Sequence, residues 1–137
     1  MIVSLHVATG AAGGALAGTR LRALALGPVL HLAADLLPHH DIRSRKFEGW
    51  SGVVLVALLA ATRGVTSPEA IGGLAASAPD LEHVLPLPRP GGRKLFPSHR
   101  VGGLHQAGGV PAWAQLAAAG ILLVAVVSRP RNAKRYW

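Results

Sequence analysis

The chain has 137 residues, a length that suits one domain. Half of them are hydrophobic, 15% are charged and the mean hydropathy is +0.39, which excludes a disordered basic tail and argues against an ordinary soluble domain. The net charge of +8 would suit nucleic acid, but aromatic residues are only 4%, too few for base-stacking platforms.

The cations lie in short runs between apolar segments: "TRLR", "RSRK", "RPGGRK" and "RPRNAKR". That pattern fits loops held against anionic lipid head groups, so membrane lipids and not nucleic acid are the expected partner. With no cysteine, a disulfide framework and a cysteine-ligated zinc site are both excluded.

The first apolar segment covers about 2–18. Ala15-Leu16-Ala17 resembles a signal-peptidase site, but the basic leader is missing and His6 interrupts the run, so an uncleaved first helix is expected. His6, Gly10, Gly14 and Gly18 recur every fourth residue and share one helix face. Such glycines let a second helix approach closely, which would turn His6 into the bundle.

The second segment, 22–37, contains Gly27-Pro28 one turn before His31, where the backbone could open. Pro38 and Gly49 bracket a basic loop ahead of the third segment, 50–62. That segment is short for a span, about 20 Å as helix. The fourth, 68–85, opens on Ser67-Pro68, an N-cap followed by proline at the first helical position, and meets a kink or stop at Pro79. A long loop rich in proline and glycine leads to the fifth segment, 111–128, which alone approaches the ~20 residues of an untilted span. Trp50, Trp113, Tyr136 and Trp137 stand where interfacial anchors are expected. These elements predict an all-α fold: a multi-pass membrane bundle of about four or five short helices, with residues 1–137 as a single integral membrane domain.

Ionisable side chains are costly in such segments and mark functional sites by default. His31, Asp35 and His39 are spaced four apart within "HLAADLLPHHD"; "PDLEH" adds Asp80, Glu82 and His83, and "SHRVGGLHQ" adds His99 and His105. If the helices alternate in direction, the start of segment one, the end of two, the end of four and the start of five share one face. Those places hold all seven histidines with Asp35, Asp41 and Asp80. The same face carries Arg43, Arg45, Lys46, Arg89, Arg93, Lys94 and Arg100, and the other carries Arg20, Arg22, Arg63, Arg129, Arg131, Lys134 and Arg135. With seven cations on each side, charge bias sets no orientation.

Imidazoles and carboxylates without thiols are the ligand set of Zn²⁺, with Mn²⁺ or Fe²⁺ as variants. His6, His31, Asp35, His39 and Asp80 are the first ligand candidates, and His83 and His99 the next. Asp35 or Glu82 would serve as general base for a metal-activated water. Arg100, Arg93 and Lys94 would hold an anionic head group.

At these residues the chain resembles the YdjM-like family of small, multi-pass, bacterial metal-dependent hydrolases. The family carries an early "HxxxG", then "HxxxDxxPHxD", a "PD" box ending in histidine and a late histidine pair. Here those elements are His6 to Gly10; His31, Asp35, Pro38, His39 and Asp41; Pro79, Asp80 and His83; and His99 with His105. Glu82 replaces the second aspartate of the usual "PDxDH", and "HRVGGLH" is one residue longer than the usual "HRGxTH". The resemblance implies a hydrolase of the bacterial cytoplasmic membrane, acting on a lipid or another phosphoester or ester. Two other readings stay open beside it: a non-catalytic membrane protein that binds a metal, and a structural membrane protein without one.

Overall fold

The computed structural model describes residues 1–130, so Tyr136 and Trp137, with Arg131, Lys134 and Arg135, lie outside the described residues. Five longer helices carry the architecture: α1 (Val3–Ala17), α2 (Arg20–Asp35), α3 (Arg45–Arg63), α4 (Pro68–Ser77) and α7 (Ala112–Val127). Two short helices, α5 (Leu81–Val84) and α6 (Pro97–Arg100), lie in the connection between α4 and α7. No strand occurs among the described residues, so the all-helical expectation holds. None of these helices is both long and apolar enough to cross a membrane by itself.

The central element is α1, which packs against α2, α3, α4 and α7. Its composition explains that position. Alanine and glycine leave its surface nearly smooth, and nine of its fifteen residues are buried, His6 among them. A methyl group placed at Gly10 would collide with the Gly72 carbonyl, and one at Gly14 with the Pro68 carbonyl. The glycine face therefore does what its spacing predicts, and its partner is the antiparallel α4. Gly18 is the exception. It ends α1 with φ 72°, and a side chain there would meet nothing within 4 Å.

Local chemistry sets the helix ends. Ser67 accepts from Ala70 N–H, with Pro68 at the first position, as expected. The third helix begins at Arg45 rather than near residue 50, because the Ser44 side chain caps the Phe47 N–H and Glu48 adds a favourable charge to the first turn. Gly49 consequently lies inside α3 and does not close the basic loop. The fourth segment stops as regular helix at Ser77; Pro79 sits in a 3-10 turn, Ala78–Asp80, that re-aims the chain. The second helix runs unbroken through Gly27-Pro28, since Gly27 is pressed so closely on Ala75 and Ala76 that packing holds its backbone in place.

The connections alternate, so the start of α1, the ends of α2 and α4, and the starts of α3 and α7 all meet at one end of the bundle. At that end the chain after α2 pairs with the chain before α7. His39 N donates to the Gln106 carbonyl and His40 N to that of Val110, while Gly108 N donates to His39 O and Val110 N to Pro38 O. Gly108 and Gly109, at φ 101° and 76°, make the turn that this pairing needs. The buried Gln115 of α7 joins the same junction: it accepts from Ile2 N and donates to the carbonyls of His40 and Val110. At the other end, buried Arg63 pairs with Glu69 at 3.1 Å and donates to the Arg129 carbonyl.

A candidate metal centre

His6 and His31 reach the site from α1 and α2, their rings stacked with centroids 3.8 Å apart and both fully buried. His31 and Asp35 lie one turn apart on α2, Asp80 comes from the 3-10 turn after α4, and His99 comes from α6. The Nε2 of His6 is 3.2 Å from Asp35 Oδ1 and 3.9 Å from Asp80 Oδ2. That of His31 is 3.2 Å from Asp35 Oδ2 and 3.8 Å from Asp80 Oδ1. His99 Nε2 lies 3.5 Å from each of the two carboxylates and 3.3 Å from His31 Nε2.

The outer hydrogen bonds decide what these rings present. His31 Nδ1 is 2.7 Å from the Ala76 carbonyl, which can only accept, so Nδ1 carries the proton and the Nε2 lone pair of the neutral ring faces the cluster. His99 Nδ1 is 2.6 Å from Glu82 Oε1, and the same reasoning turns its Nε2 inward. With both rings neutral, two lone pairs 3.3 Å apart would face two carboxylates and repel one another; a proton on His99 or a metal ion among them removes that repulsion. Carbonyl–histidine and carboxylate–histidine pairs of this kind orient and strengthen metal-ligating imidazoles.

Several polar atoms here are buried without any hydrogen-bond partner: both ring nitrogens of His6, and Asp80 Oδ2. Such orphans are rare in folded proteins and call for an explanation. His6, His31 and Asp80 offer ligand atoms all within 4.8 Å of one another, and so do His31, Asp35 and His99. Three imidazoles and two carboxylates fit a divalent cation of the Zn²⁺, Mn²⁺ or Fe²⁺ type. Electrostatics at the loop side agree. Burial disfavours charge on His99, but its contacts with Asp35 and Glu82 outweigh that and raise its pKa. Burial pushes Asp80 up to about 6 against the pull of the neighbouring charges of His31 and His99.

All seven histidines lie at this end, as the alternation of segments predicts; His40 is exposed and gives only its backbone to the junction. His83 stands at the margin, its ring 4.3 Å from that of His99, with Lys94 Nζ 2.9 Å from its Nδ1. Burial, then the charges of His99 and Lys94, lowers its pKa to about 4. His39 and His105 form a second group of ligand atoms with Asp35.

Each oxygen of both expected bases already accepts a hydrogen bond. Glu82 accepts from Leu95 N, Phe96 N and His99 Nδ1, which makes it a positioning residue for the α6 loop. Asp35 accepts from Met1 N on Oδ1 and Ser98 Oγ on Oδ2. Of the three expected anion-binding cations, Lys94 is engaged with His83, and Arg93 and Arg100 are exposed on the loop without lining the cavity.

That cavity, about 670 Å³, opens beside Asp80 and His99 between α3 and the chain after α4. Its walls include Val53, Val56, Ala57, Leu74 and Leu81, and Arg43 and Arg45 stand among its lining residues. Glu48 also lines it. One oxygen of Glu48 accepts from Val3 N, and the other is buried without a partner. Burial raises its pKa, the Val3 bond opposing. Arg43, Arg45 and Glu48 carry no motif; only the early start of α3 brings them to the site. The Ser44 cap ahead of Glu48 was the available signal.

Comparison with models of protein families, with characterised proteins and with solved structures finds no match to this chain.

Proposed function

We propose that the protein is a membrane-seated, metal-dependent hydrolase whose substrate is an amphiphile with an anionic phosphoester or ester head group. The observation that carries this reading is the convergence of His6, His31, His99, Asp35 and Asp80, with unpartnered buried atoms, at the edge of an apolar cavity bearing two arginines. His6, His31, Asp80 and His99 would hold the ion, with Asp35 shared among them. When bound, a divalent cation supplies Lewis acidity, polarising the scissile group and making water acidic enough to react near neutral pH.

The chain's own residues do the rest. The Ala76 carbonyl and Glu82 hold the rings of His31 and His99 in the ligating tautomer. Arg43 and Arg45 attract the anionic head group at the cavity mouth, and the walls from α3 and α4 accept an acyl or isoprenoid chain. Glu48, with an unpartnered oxygen and a raised pKa, accepts the proton that the attacking water loses. The membrane setting is supported by a belt of exposed apolar side chains on α2, α3 and α7, among them Leu21, Val29, Val53, Leu58, Ile121 and Val124.

The test is metal content and turnover of the detergent-purified chain loaded with Zn²⁺ or Mn²⁺. Wild type should hold metal and hydrolyse a member of a phospholipid, isoprenoid-phosphate and ester panel. Asp80→Asn and His31→Ala should lose metal and turnover together. Stoichiometric metal without hydrolysis across the panel would favour the non-catalytic binding protein. Negligible metal in wild type and both variants would leave a structural membrane protein.

A further inference from the structure

Asp35 belongs to two groups of ligand atoms at once, one with His31 and His99 and one with His39 and His105. His105 faces Asp35 Oδ2, whereas His6 faces Oδ1. His39 is 1% exposed, and its Nδ1 lies 2.6 Å from the Leu37 carbonyl, so the proton sits on Nδ1. Its Nε2 lone pair is buried without a hydrogen-bond partner and faces Asp41 Oδ1 at 3.1 Å. In the neutral ring that nitrogen is an acceptor facing an acceptor, and the two repel. His105 stands between the carboxylates, Nδ1 3.7 Å from Asp35 Oδ2 and Nε2 3.2 Å from Asp41 Oδ2.

We propose that His39, Asp41 and His105 form a second divalent-cation site, joined to the first through a bridging Asp35. The Met1 ammonium, 2.8 Å from Asp35 Oδ1 and 3.6 Å from Asp41 Oδ1, leaves the two imidazoles unserved. A proton on His39 would satisfy Asp41 alone, whereas a cation would satisfy His39, Asp41, His105 and Asp35 Oδ2 together. The backbone supports the assignment. The pairing of residues 38–40 with 106–110, through the Gly108-Gly109 turn, fixes the two imidazoles with centroids 4.6 Å apart. Carboxylate-bridged cations about 3.5–4 Å apart stabilise both the attacking and the leaving oxygen of a displacement at phosphorus. Within the substrate classes proposed above, the second site favours phosphoesters over carboxylic esters. This proposal rests on the first cluster being a metal site.

The experiment titrates the full-length, detergent-purified chain with Mn²⁺ alone and reads bound metal and its electron paramagnetic resonance spectrum. Wild type should bind two ions with an exchange-coupled spectrum. Asp41→Asn and His105→Ala alter partly exposed side chains and leave the core intact; each should bind one ion with an uncoupled spectrum. One uncoupled ion in wild type, unchanged in both variants and lost in Asp80→Asn, would overturn the second site and leave the first standing. No bound ion in wild type would overturn both.

Discussion

Glu82 shows how a residue's role depends on contacts that its sequence neighbours do not reveal. It stands two residues after Asp80 in a motif that suggests a base, yet its carboxylate is spent on two backbone N–H groups and the Nδ1 of His99. Glu82→Gln should therefore keep the metal but weaken it, by about 10–100-fold as for other partners of metal-bound histidines. A competition titration against a chelator reads this directly; unchanged affinity would deny Glu82 its positioning role. Glu48→Gln should behave in the opposite way, holding metal with wild-type affinity while turnover falls by roughly 10²–10⁴, the usual contribution of a general base. His31, Asp35 and Asp80 were legible because histidine and aspartate in an apolar segment are conspicuous at any position. Glu48, Arg43 and Gln115 were not, because their importance comes from where α3 and α7 start, and single polar residues near helix starts are common.

At the scale of the element, the α1–α4 contact decides whether His6 reaches the site at all. The collisions at Gly10 and Gly14 are with backbone carbonyls, which cannot rotate away as a side chain would. Gly10→Ala and Gly14→Ala must therefore separate two helices, and each should cost about 1–3 kcal/mol, as overpacking does elsewhere. Gly120→Ala is the control. A Cβ there meets nothing within 4 Å, and alanine inside α7 should be neutral or stabilise by up to about 1 kcal/mol. Thermal midpoints in detergent would separate the three, and a Gly14→Ala midpoint at or above wild type would refute the close-packed reading. The four-residue spacing was readable because it needs only local geometry. Apolar content alone starts α3 too late, because it marks where a helix is buried, whereas the Ser44 cap and Glu48 mark where it begins.

Across the whole molecule, polar chemistry gathers at one end of the bundle and apolar side chains are exposed around its flanks. That division was legible in outline, since five alternating helices place the histidines on one side whatever their packing. The split of the cluster about Asp35 was not, because it depends on the backbone pairing of residues 38–40 with 106–110, which lie far apart in sequence. The longest apolar helix, α7, has 16 residues, or about 24 Å, against a hydrocarbon core of about 30 Å. Such helices cross only where the bilayer thins around them, or they lie within one leaflet. Trp50 and Trp113, 69% and 73% exposed on the early turns of α3 and α7, would then mark the level of the head groups at the site end.

Because the chain has no cysteine, single cysteines report cleanly on these alternatives. Lys46 and Arg93 lie at the site end, and Thr66 is exposed between α3 and α4 at the other. A thiol reagent that cannot cross the membrane should label Lys46→Cys and Arg93→Cys from one side and Thr66→Cys from the other. All three labelled from the same side would place the bundle on one leaflet, with its cavity still open to lipid. Lys46→Cys and Arg93→Cys labelled from opposite sides would separate residues that this fold holds at one end, and the shared metal centre would fall with that arrangement.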